Sequence, residues 1–368
     1  MIAPDSFKGS LASRDVAYAI ADGWNRVRPE DRLFTLPMAD GGEGTLDVVS
    51  HVRPDSTLRH TTVTGPHGAP VEARWLQLSD STAVIEMAQT SGLPLMDTPD
   101  PIGATSRGLG ELIAVAIDEG AERILVALGG SATTDAGLGA LEGLGAVVHR
   151  DHPEGRGALG VTKIDPSGLP KPPREGITVL TDTKALMLEA PTVFGPQKGA
   201  SPSDVEGLTD AFSALQGLSP VANSHRLPGS GAAGATAWGL ASFMGAVIVD
   251  GARYLGNLLG AGRLLQSADL LITGEGRFDQ TSLSGKVVGY LHHLAQSYGV
   301  DGALIVGTSD GSTLAEWPMI RLIDQAQSLD EAMAQTASLA ANAGEKLANQ
   351  ANEAGKSGWG AWTRTKNN

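Results

Sequence analysis

The sequence predicts an α/β fold with mainly parallel strands. Short apolar runs alternate with segments of helical period, the pattern of βα units. Several of those runs end abruptly in glycine-rich loops, as strands do when a loop and helix follow. The chain has 368 residues, a length that favours two domains over one.

The elements follow in order. Ser13 to Val16 reads as a helix start, with Ser13 as N-cap and Asp15 in the first turn. Val16, Ile20, Trp24 and Val27 then recur at helical spacing. Leu109, Leu112, Ile113, Ala116 and Ile117 make a second amphipathic helix, closed by Gly120. Residues 124–128 form a buried strand, and Leu138, Leu141 and Leu144 mark a helix beyond the next loop. Residues 177–180, 270–272 and 303–306 are further buried strands, with a helix carrying Val287, Val288, Leu291 and Leu294 between the last two. Ser328 to Glu331 has the form of a capping box before a long Ala-rich helix. Residues 151–176, rich in Gly, Pro and charge, read as an irregular surface connection. Residues 343–368, with Trp359 and Trp362, read as a flexible tail.

Composition narrows the function. Hydrophobic residues make up 41%, enough for a real core, and cysteine is absent. That excludes disulfides, thiolate zinc sites and a cysteine nucleophile, and it fits a cytoplasmic protein. The first residues lack a signal-peptide pattern. No apolar stretch approaches the roughly 20 residues of a membrane span. A formal net charge of -14 repels nucleic acid. An anionic ligand would therefore need helix N-termini and a few Lys or Arg residues.

Four glycine-rich segments could carry chemistry. In the first, the strand at 124–128 runs into Gly129 and Gly130, then Ser131, Thr133, Thr134 and Asp135. Glycines there let backbone N–H groups face a phosphate; a tight turn with Thr134 or Asp135 as N-cap is the plain alternative. In the second, a strand ends at Thr273, Gly274 and Gly276 flank Glu275, and Arg277, Asp279 and Lys286 follow. Carboxylates beside Arg and Lys at a strand's C-terminal end suit Mg²⁺ and phosphate together, against the alternative of a surface ion-pair cluster. The third places Asp40 and Glu43 among Gly41, Gly42 and Gly44, which a solvated turn would explain equally. The fourth is Asp5-Ser6-Phe7-Lys8-Gly9, where a first strand should end; Lys8 could hold an anion or simply be exposed.

Gly229-Ser-Gly-Ala-Ala-Gly234 matches the dinucleotide fingerprint, with Asp250 about 20 residues on. An NAD-dependent oxidoreductase is thus a competing reading. Against it, residues 223–228 make a poor strand, and the fingerprint must follow one. There is no Walker motif, no GxSxG elbow, and no histidine pair at metal-ligand spacing.

Taken together, these segments resemble the bacterial glycerate kinase family. The matching strings are APDSFKGSL, PMADGGEGT, TAVIEMAQTSGLPL, LGGSATTDAGLGAL, VFGPQKGA, PGSGAAG and LITGEGRFDQTSLSGK, in that order from Ala3 to Lys286. The resemblance implies ATP-dependent phosphorylation of D-glycerate to 2- or 3-phosphoglycerate with Mg²⁺. It implies two α/β domains facing across a cleft. One is Rossmann- or flavodoxin-like, with a parallel sheet built from both chain ends (1–58 plus 255–342); the other is inserted (59–254).

Roles follow from that resemblance. Asp182, after the strand at 177–180, is the candidate to orient or deprotonate the attacking hydroxyl. Lys8, Lys198 and Arg277 are candidates to clamp the acid's carboxylate or the moving phosphoryl group. Asp40, Glu43, Glu275 and Asp279 are the metal candidates. Asp5, Ser6, Gly41 and Gly42, with Gly129, Gly130, Ser131, Thr133 and Asp135, are expected to bind substrate or phosphate. So are Gly229 and Gly231, and Thr273, Gly274, Gly276 and Lys286.

The chain departs from the family in three places. Only Met1 and Ile2 precede Ala3, so a clipped first strand or an upstream start is expected. Thr183-Lys184-Ala185 replaces the usual Asp and Asn-Pro-Leu after Asp182. Ser106 to Gly110 replaces a Tyr-Gly-Thr-Gly-like run. These leave open a kinase of a related small hydroxy acid, or a sensor that binds glycerate without turnover.

Overall fold

The computed structural model describes residues 1–151, 156–314 and 317–354. The chain divides into two compact units, Met1–Asp40 with Ala252–Asn368, and Gly41–Gly251. The sequence placed the crossings at 58/59 and 254/255. The units divide at 40/41 and 251/252, and the helix Thr45–Val52 and the strand Thr57–Thr64 both belong with the second unit.

The first unit is built on a parallel sheet. Asp301–Val306 pairs with Leu270–Thr273 on one side and Met319–Arg321 on the other. Residues 1–5 continue the sheet beside Leu270–Thr273, through Ala3 N–H to Ile272 O at 2.8 Å and Asp5 N–H to Gly274 O at 2.8 Å. Residues 34–38 continue it again, with Leu36 N–H to Ile2 O at 2.8 Å and Met38 N–H to Pro4 O at 3.0 Å. Both bridges at Ile2 are parallel. Numbered along the chain, the segments lie in the order 2-1-3-4-5, that of flavodoxin-like sheets, whose ligands sit beyond the strand ends between 1 and 3. Residues 1–5, where the sequence suggested a clipped first strand or a start upstream, pair on both sides within this sheet.

The helices Ser13–Val27 and Thr336–Ala354 cover one face of this sheet over Ile2, Ile272, Ala303 and Ile305. They meet closely: a Cβ on Gly23 would fall 1.8 Å from Ala341 O, and one on Gly344 2.3 Å from Ile20 O. Small residues let helix backbones approach, which accounts for the alanine content of the second helix. It also corrects the reading of a tail from 343. Ala343, Leu347 and Ala348 are fully buried, a stripe at helical spacing hidden among Lys346 and Asn349. Trp359 and Trp362 lie outside the described residues.

Two caps differ from expectation. Ala12, not Ser13, precedes the first helix, and no side chain caps it. Ser328 Oγ does accept from Glu331 N–H at 3.1 Å, but the Glu331 carboxylate takes Gln327 N–H at 2.7 Å instead of completing a box.

The second unit carries a sheet in the order Thr57–Thr64, Pro70–Gln77, Thr82–Glu86, Arg123–Ala127, Ile177–Thr181, Val247–Asp250. The first three strands are antiparallel, and the last four are parallel to one another. The helices Arg107–Asp118, Leu138–Gly143 and Ala232–Met244 bury Leu112, Leu141 and Trp238 in the same core as Ile85, Val126 and Val179. Residues 151–176 are not wholly irregular. Val161–Asp165 pairs antiparallel with Val147–Arg150. No helix among the described residues is long and apolar enough to cross a membrane.

Candidate active site

In the first unit, residues 1–5, 34–38 and Leu270–Thr273 are neighbours in the sheet and all point the same way. Their C-terminal ends therefore deliver Asp5, Asp40 and Glu275 to one place. Burial raises the Asp5 carboxyl well above the usual range, and the charges of Asp40 and Glu275 push it further. Burial also pushes Glu275 up to about 7, offset by Ser282 and Lys286 and reinforced by Asp40 and Asp279. Glu275 Oε1 is buried without a hydrogen-bond partner. Its Oε2 stands 4.0 Å from Lys286 Nζ. Lys8 is exposed, and its charge eases Asp5.

Such crowding of carboxylates opposes folding unless something positive joins it. The donors are all oxygen, as a hard cation prefers. Among the described residues no group of three or more is spaced to enclose an ion. The set fits Mg²⁺ held by one or two carboxylates and completed by water and phosphate oxygens. Asp40 and Glu275 from the sequence-derived metal set are thus brought together. Asp279 is not placed as a ligand: its Oδ1 caps the next turn, taking Thr281 N–H at 2.8 Å and Thr281 Oγ1–H at 2.5 Å. Glu43 belongs to the other unit.

The remaining first-unit candidates divide into open and internal positions. Arg277 is exposed, in a two-residue strand beside Thr308–Ser309. Ser6 donates its N–H to Asp5 Oδ1 at 2.6 Å. Thr273 is fully buried and donates to Ala3 O at 2.8 Å, so it ties two strands together. A Cβ on Gly274 would lie 1.6 Å from Ile305 O, and one on Gly276 3.2 Å from Phe7 Cα. These glycines admit neighbouring backbone.

The same holds in the second unit at the turn after Arg123–Ala127. Gly129 N–H donates to Gly41 O at 3.1 Å, and a Cβ at 129 would stand 2.4 Å from Gly42 Cα. Gly130 has φ +77, and a Cβ there would meet Glu43 Oε1 at 2.5 Å. What comes close to this backbone is the loop 41–43, where the sequence suggested a phosphate. Gly41 in turn abuts Leu180, Gly229 abuts Ile248, and Gly231 abuts Leu186 O.

Asp135 is also internal. Its Oδ2 accepts from Ser106 N–H at 2.9 Å, Ser106 Oγ–H at 2.7 Å and Gly139 N–H at 3.1 Å, and its Oδ1 from Gly137 N–H at 3.0 Å. With four bonds inside the fold it is not free to bind substrate, and Ser106 is its partner. Lys198 Nζ donates to Ser131 Oγ at 2.9 Å and Thr133 O at 2.6 Å. The residue is 2% exposed, which leaves no open face for clamping an external anion. Burial lowers the ammonium's pKa to about 7, partly opposed by Asp135. Asp182 stands exposed just beyond Ile177–Thr181.

Sequence reasoning missed Glu86. It closes the strand Thr82–Glu86, 3% exposed, and accepts from Leu46 N–H at 2.7 Å and Gln89 Nε2–H at 3.3 Å. Burial pushes it up to about 7. The signal was a lone carboxylate ending the apolar run Thr82 to Ile85. Arg107, within the departing run Ser106 to Gly110, is paired with Glu111 at 2.9 Å on its own helix.

The fingerprint Gly229 to Gly234 follows the short turn Ser224–Arg226 and not a strand. Ala233 and Gly234 within it, and Ala235 directly after it, are all left-handed. A dinucleotide turn needs a strand before it and a regular helix start after it; this segment lacks the strand, and the helix Ala232–Met244 begins in left-handed residues.

The sequence model of the Glycerate kinase family matches residues 1–352. The chain is 38% identical over 324 residues to the glycerate 2-kinase of Escherichia coli (strain K12), covering 83% of this chain and 85% of that one. It is 38% identical over 323 residues to the glycerate kinase of Bacillus subtilis (strain 168), covering 84% of each. It is similar to a crystal structure described as a glycerate kinase 2 from Salmonella typhimurium LT2, with TM-score 0.77 and 33% identity, over 96% of this chain and 97% of that one.

Proposed function

The chain belongs to the glycerate kinase family, and we propose that it transfers the γ-phosphoryl group of ATP to a hydroxyl of D-glycerate. The hydroxyl oxygen forms the new bond to the γ-phosphorus, the bond to the β,γ-bridging oxygen breaks, and ADP leaves. The hydroxyl proton passes to a carboxylate. The name of the Escherichia coli relative supports the 2-hydroxyl as acceptor.

The observation that supports this most is the convergence of Asp5, Asp40 and Glu275 beyond the ends of adjacent parallel strands. Phosphoryl transfer asks a protein for position and charge neutralisation more than for covalent help. Asp40 and Glu275 would hold Mg²⁺, with Asp5 beside them. Bound there, the ion would supply charge to the phosphate oxygens. Lys8 and Arg277, both exposed at the same end of the sheet, are proposed to bind the phosphates. In the second unit Asp182 is proposed to take the hydroxyl proton. The turn 129–133 is proposed to form part of the acid-binding machinery.

Purified protein, MgATP and a panel of hydroxy acids decide the matter through ADP release. D-glycerate should respond, and ³¹P NMR of the product identifies the hydroxyl. Release with another acid alone would move the assignment to that acid, and binding without release would leave a sensor.

A further inference from the structure

We infer that Lys198 is a positioning residue: it holds the turn 130–133 in shape from inside the second unit and does not touch acid or phosphate. The inference rests on the proposed role of that turn.

Lys198 ends the short turn Pro196–Lys198, and Gly199 at φ +89 carries the chain away from it. Its ammonium lies against two oxygens of the same loop, Ser131 Oγ and Thr133 O. Both are neutral. A lysine that captures an external anion keeps its tip open and its donors available. Here the tip is closed and two of the three donors serve the chain.

The need for such a peg lies in the loop's surroundings. Thr133 O also lies against Gly234, where a Cβ would approach to 2.1 Å. The flanking residues Ala136, Ala233 and Ala235 have φ of 55, 55 and 64. Left-handed alanine costs roughly 1–2 kcal/mol per residue. Strain of this kind persists only where neighbouring contacts over-determine it. Ala132 N–H to Ser91 O at 2.8 Å and Leu93 N–H to Gly130 O at 2.9 Å fix the loop's outer edge. Lys198 fixes its inner edge. It also satisfies a carbonyl that would otherwise be buried without a partner. The hydroxyls of Thr133 and Thr134 are themselves buried without partners, so the loop has few other polar ties. Asp135 is the charged group that acts on Lys198, and its carboxylate is taken up by Ser106, Gly137 and Gly139.

Lys198→Met keeps the stem and removes the donors, and three readouts test it. The variant should lower kcat at least tenfold while KM for glycerate and for ATP each change less than threefold. Hydrogen exchange should quicken in residues 130–136 of the variant and stay as in the wild type in residues 1–40. In the wild type without substrates, an amine-reactive acylating reagent should modify Lys198 at least tenfold more slowly than Lys8, and adding substrates should leave the Lys198 rate unchanged. A tenfold rise in either KM with kcat kept would overturn the inference. So would unchanged exchange in 130–136, or fast acylation of Lys198 that substrates block. Should Lys198→Met fail to fold, the acylation rates still decide. Absence of any glycerate-dependent ADP release by the wild type would sink the proposed function alone, because exchange and acylation need no turnover.

Discussion

Gly129 donates its backbone N–H to Gly41 O at 3.1 Å, so the turn after Arg123–Ala127 is bound to the loop that begins the second unit. No side chain fits between them: the Cβ of Gly129→Ala would stand 2.4 Å from Gly42 Cα. The obstacle is backbone and cannot swing aside as a side chain would. Overpacking of this kind costs about 1–3 kcal/mol. The variant should unfold at a lower urea midpoint with an unchanged m-value, the shift times m giving a loss of that size. A midpoint equal to the wild type's would mean that the two loops do not pack as described.

That contact also shows where the sequence could be read and where it could not. Strands such as Arg123–Ala127 and Asp301–Val306 were legible because they are continuous apolar runs buried on both faces. The glycines after them were legible as close approaches, but not what approaches. The partner of Gly129 lies 87 positions or more away in the chain, at Gly42 and Gly41, and periodicity carries no long-range pairing. Asp135 looked like a ligand-binding carboxylate because caps and anion sites use the same residue types. The antiparallel strands Thr57–Thr64 and Pro70–Gln77 escaped because their outer faces are polar. The convergence of Asp5, Asp40 and Glu275 needed the strand order, which no single motif contains.

Glu86 gives a prediction about pH. Its carboxyl is pushed from the ordinary 4.5 up to about 7, so between those values the folded state keeps a proton that the unfolded chain releases. The stabilisation is complete below pH 4.5 and lost as pH rises through 7. It amounts to about 3 kcal/mol. Asp5 and Glu275 shift in the same direction, so the comparison must be with a variant. Glu86→Gln keeps an acceptor for Leu46 N–H and removes the titration. The wild-type loss of stability between pH 5 and 8, measured by urea unfolding, should exceed that of Glu86→Gln. Parallel pH curves would show that Glu86 ionises freely.

Asp182 and Arg277 are both exposed, and their substitution should leave folding intact. Arg277→Ala removes a proposed phosphate contact, and Asp182→Asn removes the proposed proton acceptor while keeping size. Each should lower turnover with D-glycerate at least tenfold, about 1.4 kcal/mol of transition-state stabilisation. Melting temperatures should stay within a few degrees of the wild type. Near wild-type turnover in either variant would remove that residue from the proposed chemistry.

Glu275 should separate stability from activity most sharply. Its Oε1 has no partner, its neighbours Asp40 and Asp279 repel its charge, and Lys286 at 4.0 Å relieves it only in part. A charge held this way is a burden on the ligand-free fold, and sites that store such repulsion commonly do so for function. Glu275→Gln removes the charge at nearly constant shape. At pH 8, without Mg²⁺ or nucleotide, the variant should melt at a higher temperature than the wild type. The same variant should need at least tenfold more Mg²⁺ for half-maximal turnover, because one of the oxygens that offset the ion's charge has become neutral. Added Mg²⁺ should stabilise the wild type more than the variant in thermal melts, which reads the same contact without catalysis. A variant that melts lower and keeps its Mg²⁺ requirement would make Glu275 a structural residue and break the assignment of the carboxylate cluster.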